Sequence, residues 1–297
     1  MTAGGHPGDP FGIPGRWYKG NLHTHSTNSD GAKSPADAVA WYQDQGYDFL
    51  ALTDHRVLTD TSGFRRADFL TIPGMELHGP DPTTGENYHI VGLGITSFER
   101  SNDAWLREEA IARVNGDGGI AFMGHPYWLG QTAAHLQGLT GFVGLEVFNS
   151  VCDVHRAKGF SNETWDAYLL EQGLTWGLAT DDSHWKYAEE GRGWVMVRAS
   201  DLSVVGVLAA LRKGHFYSTM GPAFEDVRFD GSQVIVRCAP VRRISVMAAR
   251  AKGANARAPA GGALTELVHP LKGVERYVRI EIEDHQGRVA WTNPRAL

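Results

Sequence analysis

The stretch SPADAVAWYQDQGYDFLALTDH, residues 34–55, contains one complete unit of the predicted fold. Ser34 is a good helix N-cap, Pro35 suits the first helical position, and Gly46 is a typical helix end. The apolar run YDFLALT, from Tyr47 to Thr53, has the length and composition of a buried strand. A helix that leads directly into a buried strand is the repeating unit of parallel α/β proteins.

The same pattern recurs along the first 220 residues. Further short apolar runs lie at residues 69–75, 88–94, 118–124, 142–148, 174–180 and 194–199. Helical patterns that each end at a glycine lie at residues 102–116, 162–173 and 201–214. Strands of this number and spacing favour a parallel α/β barrel over an open sheet, and we place that barrel at residues 16–220.

The remaining segments have a different composition. From residue 221 to residue 297, polar and apolar residues alternate with period two and the pairs DG and QG indicate turns, which predicts a small antiparallel β unit. Within it, we expect the Ala- and Gly-rich residues 250–263 to form a mobile loop. Residues 1–15 are rich in Gly and Pro and are predicted to be a flexible lead-in.

Composition narrows the class of protein. The formal net charge of −6 argues against binding of a nucleic-acid polymer. Cys152 and Cys238 form no CxxC pair and are interpreted as reduced thiols. No apolar run approaches the length of a membrane span, and the N-terminus lacks the apolar core of a signal peptide. We therefore expect a cytoplasmic enzyme with a small-molecule substrate; the sequence does not indicate its oligomeric state.

Candidate metal ligands recur directly after the predicted strands. His23 and His25 have the spacing that directs two side chains to the same side of an extended chain. The other candidates at strand ends are His55, Glu76, His125, Asp182 and His184. The carboxyl ends of strands converge on one face of a barrel, so these side chains are predicted to meet there. An isolated HxH pair is more often solvated, but repeated coincidence at one barrel face is improbable. His89 lies inside a predicted strand, where a core role is an equal alternative.

These motifs resemble those of the PHP family, the polymerase and histidinol phosphatase metallohydrolases. The matching pieces, in order between Asn21 and His184, are HTH, SDG, TDH, GME, YHIVGLG, GHP and DDSH. Longer stretches such as KGNLHTHSTNSDG and GHFYSTMGP are similar to the branch that contains carbaryl hydrolases. The resemblance implies a distorted (β/α)7-type barrel as the fold of residues 16–220.

The resemblance also implies two or three divalent metal ions and a ligand set for each. The first set is His23, His25, Glu76 and Asp182; the second is Glu76, His89 and His125; the third is Asp30, His55 and His184. His89 thereby becomes an expected ligand. A mixture of imidazoles and carboxylates suits Mn, Zn or Fe(II) better than magnesium.

A pair of ions that share Glu76 is expected to lower the pKa of a bridging water from ~15.7 toward ~7 and so to supply a hydroxide nucleophile. Glu76 and Asp182 are therefore catalytic candidates as well as ligands. Asp54 and Asp181, next to ligands in the sequence, are candidates for proton transfer or, more simply, for support of those ligands. The candidates for substrate contact are Arg192, Asn149, Trp128 and His215. For Arg192, a phosphate clamp and a surface ion pair are equal alternatives.

Formal charge relates the number of ions to the substrate. Three divalent ions and the three ligand carboxylates leave a charge of about +3, which a hydroxide and a phosphomonoester dianion neutralise. Two ions leave about +1, which a hydroxide alone neutralises, so a neutral ester would then fit. We therefore expect a phosphoesterase that acts on a small phosphomonoester or cyclic phosphate, such as a nucleotide or sugar phosphate. The alternative is a carboxylic ester, carbamate or amide hydrolase. A non-catalytic module is disfavoured because every ligand position is filled.

Overall fold

The computed structural model describes residues 6–64, 66–97 and 105–297. The α-helices in these ranges are α1 (Pro35–Asp44), α2 (Arg107–Gly116), α3 (Pro126–Leu129), α4 (Ser150–Arg156), α5 (Asn162–Glu171) and α6 (Val204–Arg212). Ser34 caps α1 as predicted, because its side chain accepts a hydrogen bond from the backbone N–H of Asp37. The first residues of the helix predicted at 102–116 lie outside the described residues, and α2 begins at Arg107.

The strands of the first part of the chain are β1 (Arg16–Asn21), β2 (Phe49–Leu52), β3 (Leu70–Pro80), β4 (Asn87–Leu93), β5 (Ile120–Met123), β6 (Phe142–Asn149), β7 (Trp176–Thr180), β8 (Trp194–Ala199) and β9 (Phe216–Thr219). Those of the C-terminal part are β10 (Phe224–Asp230), β11 (Gln233–Val241), β12 (Arg243–Ala248), β13 (Gly253–Arg257), β14 (Leu264–Pro270), β15 (Tyr277–Glu283), β16 (Val289–Thr292) and β17 (Arg295–Ala296).

One large mixed sheet organises the molecule, with the strand order β13-β12-β15-β16-β9-β8-β1-β2-β3-β4-β5-β6-β7. Strands β1, β2 and β3 are parallel to one another, and so are β5, β6 and β7. Strands β2, β5 and β7 are buried along their whole length, as expected of strands with continuous apolar runs. The predicted α/β class is confirmed.

The prediction that all these strands are parallel is wrong for β4 and β8. β4 is antiparallel to both β3 and β5, and β8 is antiparallel to β1. For β4 the reason is the short connection, residues 81–86, because a parallel crossover needs about a dozen residues or more. β3 and β4 therefore form a hairpin.

The sheet is not closed, so a complete (β/α)7 barrel is not confirmed. On the side of β7 that does not face β6, side chains form hydrogen bonds with the backbone in place of a neighbouring strand. The hydroxyl of Ser218, in β9, accepts from the N–H of Ala179 at 3.0 Å and donates to the carbonyl of Gly177 at 2.7 Å. Asn293 Oδ1 accepts from the N–H of Gly177 at 3.0 Å. These bonds hold β7 against β9 without a backbone ladder.

The C-terminal strands are antiparallel, as the period-two pattern predicts. β10, β11 and β14 form a separate three-stranded sheet, whereas β16 pairs with β9 and continues the large sheet. The large sheet thus crosses the predicted boundary at residue 220, and the division into two domains stays a prediction. The expected loop at residues 250–263 contains β13, because Gly253–Arg257 pair with β12. The small residues of this segment therefore belong in part to a strand at the edge of the large sheet.

The described residues of the predicted lead-in contact the rest of the protein through both backbone and side chains. Residues 1–5 lie outside the described part of the chain. The N–H of Gly8 donates to the carbonyl of Lys213 at 2.8 Å, and the ring of Phe11 packs against Trp17 and Tyr217. Among the described helices, none has the length and apolar character needed to cross a membrane. Cys152 and Cys238 are both buried free thiols.

Candidate metal centre

The structure brings all nine sequence-predicted ligand side chains together at one edge of the sheet. They follow or lie within the strands whose carboxyl ends meet there, except His89, which is carried by the antiparallel strand β4. They form three overlapping groups, and within each group the candidate ligand atoms lie within 4.8 Å of one another. The groups are His23, His25, Glu76 and Asp182; Glu76, His89 and His125; and His25, Asp30, His55 and His184.

The first group is the most deeply buried of the three. Asp182 Oδ1 lies 3.2 Å from His23 Nε2 and 3.0 Å from His25 Nε2. Glu76 Oε2 lies 3.2 Å from His25 Nε2. All four side chains are buried, and two imidazole nitrogens and two carboxylate oxygens face one another within this group.

Glu76 joins the first group to the second. Its Oε1 atom lies 2.5 Å from His89 Nδ1 and 3.4 Å from His125 Nε2, while its Oε2 atom faces the first group. One carboxylate therefore contributes an oxygen to each of two neighbouring clusters, which is how carboxylates link paired ions.

The third group is the most open. Asp30 Oδ2 lies 3.3 Å from His184 Nε2, and Asp30 Oδ1 lies 3.8 Å from His55 Nε2. The Asp30 side chain is 48% exposed. His25 also belongs here, with Nδ1 3.7 Å from Asp30 Oδ1, so its imidazole stands between the first and third groups. The sequence does not indicate this double placement.

Two orphaned polar atoms show that the cluster fits cations. Asp182 Oδ1 and His55 Nδ1 are buried and form no hydrogen bond of suitable geometry among the described residues, although Asp182 Oδ1 lies 3.0 Å from His25 Nε2 and His55 Nδ1 lies 3.0 Å from Glu76 Oε2. An unsatisfied buried carboxylate oxygen is costly, and a bound cation removes that cost. The donor set of imidazole nitrogens and carboxylate oxygens is the one that borderline divalent metals prefer.

The electrostatics of the cluster agree with this interpretation. Burial lowers the pKa of His23, but the carboxylates of Asp182, Glu76 and Glu146 outweigh burial and raise this pKa well above its usual value. Burial raises the pKa of Glu76, but His89 and the other imidazoles outweigh it and hold that pKa well below its usual value. The carboxylates of the cluster thus favour positive charge on the groups they face, which a bound metal ion would supply.

Glu146, in β6, fixes the orientation of His23 and the backbone of His125. Its Oε1 lies 2.7 Å from His23 Nδ1 and accepts from the Thr180 hydroxyl at 2.7 Å. Its Oε2 accepts from the N–H of His125 at 2.8 Å and from Asn149 Nδ2 at 2.7 Å. A proton on His23 Nδ1 leaves the lone pair of Nε2 facing the first group, an arrangement found behind metal-binding histidines.

Asn149 positions Asp182. Its Nδ2 donates to Asp182 Oδ2 at 3.0 Å, and its Oδ1 accepts from the N–H of Cys152 as the N-cap of α4. Because both ends of this buried amide are used within the protein, the structure does not present Asn149 to a substrate as the sequence suggested.

Asp54 and Asp181 hold loops that carry ligands. Asp54 accepts hydrogen bonds from the N–H of Ser26 and from the hydroxyls of Ser26, Ser29 and Thr59. Asp181 accepts from the N–H groups of residues 191–193 and from the Tyr42 hydroxyl. Burial raises the pKa of Asp181 to about 6, although these hydrogen bonds oppose that effect. Both are buried, and their contacts match the simpler alternative of support.

Two predicted substrate contacts lie elsewhere. Arg192 pairs with Asp153 at 3.5 Å and is not among the residues lining the cavity beside the cluster. His215 precedes β9, which runs parallel to β1 because β8 is antiparallel to both strands. His215 therefore lies at the edge of the sheet opposite the ligands. Trp128 does line the cavity, and its ring packs edge-on against His125.

The cavity has a volume of about 270 Å³ and opens beside all three groups. Several of its residues have no role predicted from the sequence: Val151, Cys152, His155, Lys186 and Tyr187. The rings of His155 and Tyr187 stack at 4.2 Å. Lys186 and Tyr187 closely follow the DDSH motif after β7, and the other three residues lie in α4, directly after β6. Proximity to a strand end was therefore the signal in the sequence that could have indicated them.

Replacement of Glu146 tests the support of His23. In Glu146→Gln, the new amide NH₂ group is a donor and faces groups that donate hydrogen bonds to the carboxylate. We therefore expect the affinity for Mn(II) to fall about 10- to 100-fold. Titration against a competing chelator measures this affinity. Thr180→Val removes one donor to the same oxygen but leaves the histidine contacts, and should cause a smaller loss. Equal affinities for Glu146→Gln and the unaltered protein would contradict this role.

Comparison with known proteins identifies the fold class. No family model matches the chain, and no curated protein matches it. A structure from Bacteroides vulgatus, a two-domain protein containing a predicted PHP-like metal-dependent phosphoesterase, is similar with a TM-score of 0.56 and 16% identity over 99% of both chains. At this identity the likeness establishes a shared fold. The chain thus shares the α/β fold of that protein, and it carries a cluster of His, Asp and Glu side chains spaced as metal ligands are.

Two further structures match a smaller part of the chain. An amidohydrolase from Chromobacterium violaceum has a TM-score of 0.43 and 18% identity, over 56% of this chain and 87% of its own. A proposed metal-dependent phosphoesterase from Bifidobacterium adolescentis has a TM-score of 0.38 and 14% identity, over 56% of this chain and 88% of its own. These TM-scores are too low to support a further conclusion.

Proposed function

We propose that the protein is a PHP-family metal-dependent hydrolase, related to the carbaryl-hydrolase-like branch, that cleaves a small phosphomonoester or cyclic phosphate such as a nucleotide or sugar phosphate. The observation that carries this proposal is the joining of three ligand groups through the shared side chains of Glu76 and His25 beside a cavity. The shared fold supports it.

Two or three divalent ions, Mn, Zn or Fe, would be held by the three groups. The first would use His23, His25, Glu76 and Asp182; the second Glu76, His89 and His125; the third Asp30, His55 and His184. When bound, such ions supply Lewis acidity, which makes water a nucleophile at neutral pH and stabilises charge on the phosphoryl oxygens.

The side chains of the protein prepare this site before substrate arrives. Glu146 fixes His23, and the backbone carbonyl of Asp182 lies 2.9 Å from His184 Nδ1, so each imidazole turns Nε2 toward its group. Asn149 holds Asp182. Because the ligands are oriented by other buried groups, little reorganisation is needed during the reaction.

Charge favours a phosphate ester over a neutral one. Three divalent ions held by three ligand carboxylates would leave a charge of about +3, which a hydroxide and a phosphomonoester dianion together neutralise. The openness of the third group supports a second candidate, the hydrolysis of a carboxylic ester, carbamate or amide. Half-exposed Asp30 makes this group the least enclosed, and with two ions only, a neutral substrate fits the remaining charge.

Phosphate release tests the proposal. The protein is loaded with Mn(II), its metal content is measured, and orthophosphate is followed with nucleotides and sugar phosphates; ring opening of cyclic phosphates is followed by chromatography. We expect release from at least one class and its loss in His23→Ala, because His23 Nε2 faces Asp182 in the first group.

The control is His285→Ala, which removes an exposed imidazole of the C-terminal part and should not change the rate. If no phosphate ester reacts while the metals are present, or if His23→Ala keeps full activity, the proposed phosphoesterase is wrong. Cleavage of neutral esters by the same preparation would then favour the second candidate.

A further inference from the structure

Lys186 is the one lysine or arginine among the described residues that line the metal cavity. It lies in the loop after β7, two residues beyond the candidate ligand His184. Its side chain is exposed, and it has no ion pair among the residues that the structure describes. An unpaired ammonium beside a cavity is available to an anionic ligand.

A buried carboxylate holds the backbone of this loop. Glu189 Oε1 accepts from the N–H groups of His184 at 2.6 Å and of Lys186 at 3.2 Å, and its Oε2 accepts from the N–H of Tyr187 at 2.7 Å. Glu189 is completely buried. The backbone of Lys186 is therefore fixed relative to that of a candidate metal ligand, while its long side chain remains free to adjust.

The indole of Trp185 fastens the same loop to the cluster. Its Nε1 donates to the backbone carbonyl of His25 at 3.0 Å. Trp185 and Ala188 both have left-handed backbone conformations, with φ of 65° and 56°, which are uncommon for residues with a Cβ. A conformation of this kind persists where surrounding contacts hold it, and such backbones are concentrated at functional sites.

We propose that Lys186 binds the phosphoryl group of the substrate and makes the site prefer anionic over neutral esters. This inference rests on the proposed function, and adds to it the side chain that recognises charge. An ammonium is a strong donor to phosphate oxygens and acts as a point charge without demanding one orientation. A contact to oxygens already charged before the reaction stabilises ground and transition states alike, so it should change KM more than kcat.

The test compares Lys186→Met with Lys213→Met in Mn(II)-loaded protein of equal metal content. Lys213 lies two residues before His215, at the opposite edge of the sheet, so its replacement removes the same charge far from the cavity. For 4-nitrophenyl phosphate, we expect Lys186→Met to raise KM about 10-fold with little change in kcat, as for loss of a hydrogen bond to a charged group. Lys213→Met should match the unaltered protein, and Lys186→Arg should restore part of the affinity.

Binding of inorganic phosphate, measured by calorimetry, separates this inference from the proposed function. Weaker phosphate binding in Lys186→Met supports the role of Lys186, whether or not any phosphate ester turns over. If no ester turns over, only the proposed function fails. Unchanged phosphate binding and unchanged KM in Lys186→Met would overturn the role of Lys186 even in an active phosphoesterase. An equal rise in KM for 4-nitrophenyl acetate would also overturn the role of Lys186, because a neutral ester offers no anion for the ammonium to bind.

Discussion

Glu76→Gln is expected to bind fewer metal ions than the unaltered protein and to lose hydrolytic activity on the order of 1000-fold, equivalent to about 4 kcal/mol of transition-state stabilisation. Glu76 Oε2 faces His25, and Oε1 faces His89 and His125. An amide keeps one oxygen and replaces the other by an N–H₂ group without a lone pair. Only one of the two adjoining groups can then keep this ligand, and the negative charge is lost from both.

Metal content per chain by mass spectrometry, and kcat/KM on the best phosphate ester found, measure this effect. Glu225→Gln is the matched control, because Glu225 is an exposed residue of β10, outside all three ligand groups. We expect its metal content and rate to equal those of the unaltered protein. A full complement of tightly bound metal and near-normal activity in Glu76→Gln would show that Glu76 does not link two ion sites.

Most of the candidate site could be predicted from the sequence because its residues are tied to strand ends. His23 and His25 follow β1, His55 follows β2, and Asp182 follows β7. Parallel strands bring their carboxyl ends to one edge, so sequence position alone implies that such residues converge. His89 was the exception, because its strand is antiparallel; the structure brings it to Glu76 through a hairpin, and only the family resemblance indicated that outcome.

What escaped prediction depends on strand direction and on contacts between distant segments. His215 was expected near the ligands, but it precedes β9, which runs parallel to β1 and therefore begins at the end of the sheet opposite the ligands. No local pattern fixes that direction. The contact between β7 and β9 was likewise not predicted, because the side chains of Ser218 and Asn293 form it in place of a backbone ladder. Lys186 was missed because its position after a strand end, which was the available signal, does not by itself show that the loop passes over the cavity.

A buried ion pair also escaped prediction, and it connects the C-terminal strands to the helices around the site. Arg279, in β15, is completely buried. Its Nε and Nη2 donate to the two carboxylate oxygens of Asp166, in α5, at 2.9 and 2.8 Å. Its guanidinium also lies over the ring of Trp165, 4.6 Å from the centroid. Such two-pronged pairing is geometrically demanding, so it holds β15 and α5 in one relative position.

We expect Arg279→Met to lower the free energy of unfolding by about 3–5 kcal/mol, because it leaves a partly buried carboxylate without its partner. For a chain of this size, this corresponds to a fall in melting temperature of roughly 5–8 °C. The matched control is Arg228→Met. Arg228 makes an equally short contact to Asp226, 2.8 Å, but its side chain is 62% exposed, so the change should cost less than about 1 kcal/mol.

Urea unfolding of both variants measures the difference, and burial is the variable that separates them. If Arg279→Met and Arg228→Met lose equal stability, the buried pair does not fasten β15 to α5. A large loss in Arg279→Met with unchanged metal content in the folded protein would mean that the C-terminal strands stabilise the fold without shaping the ligand groups. A loss of both stability and metal content would mean that the position of α5, beside β6 and Glu146, depends on the C-terminal strands.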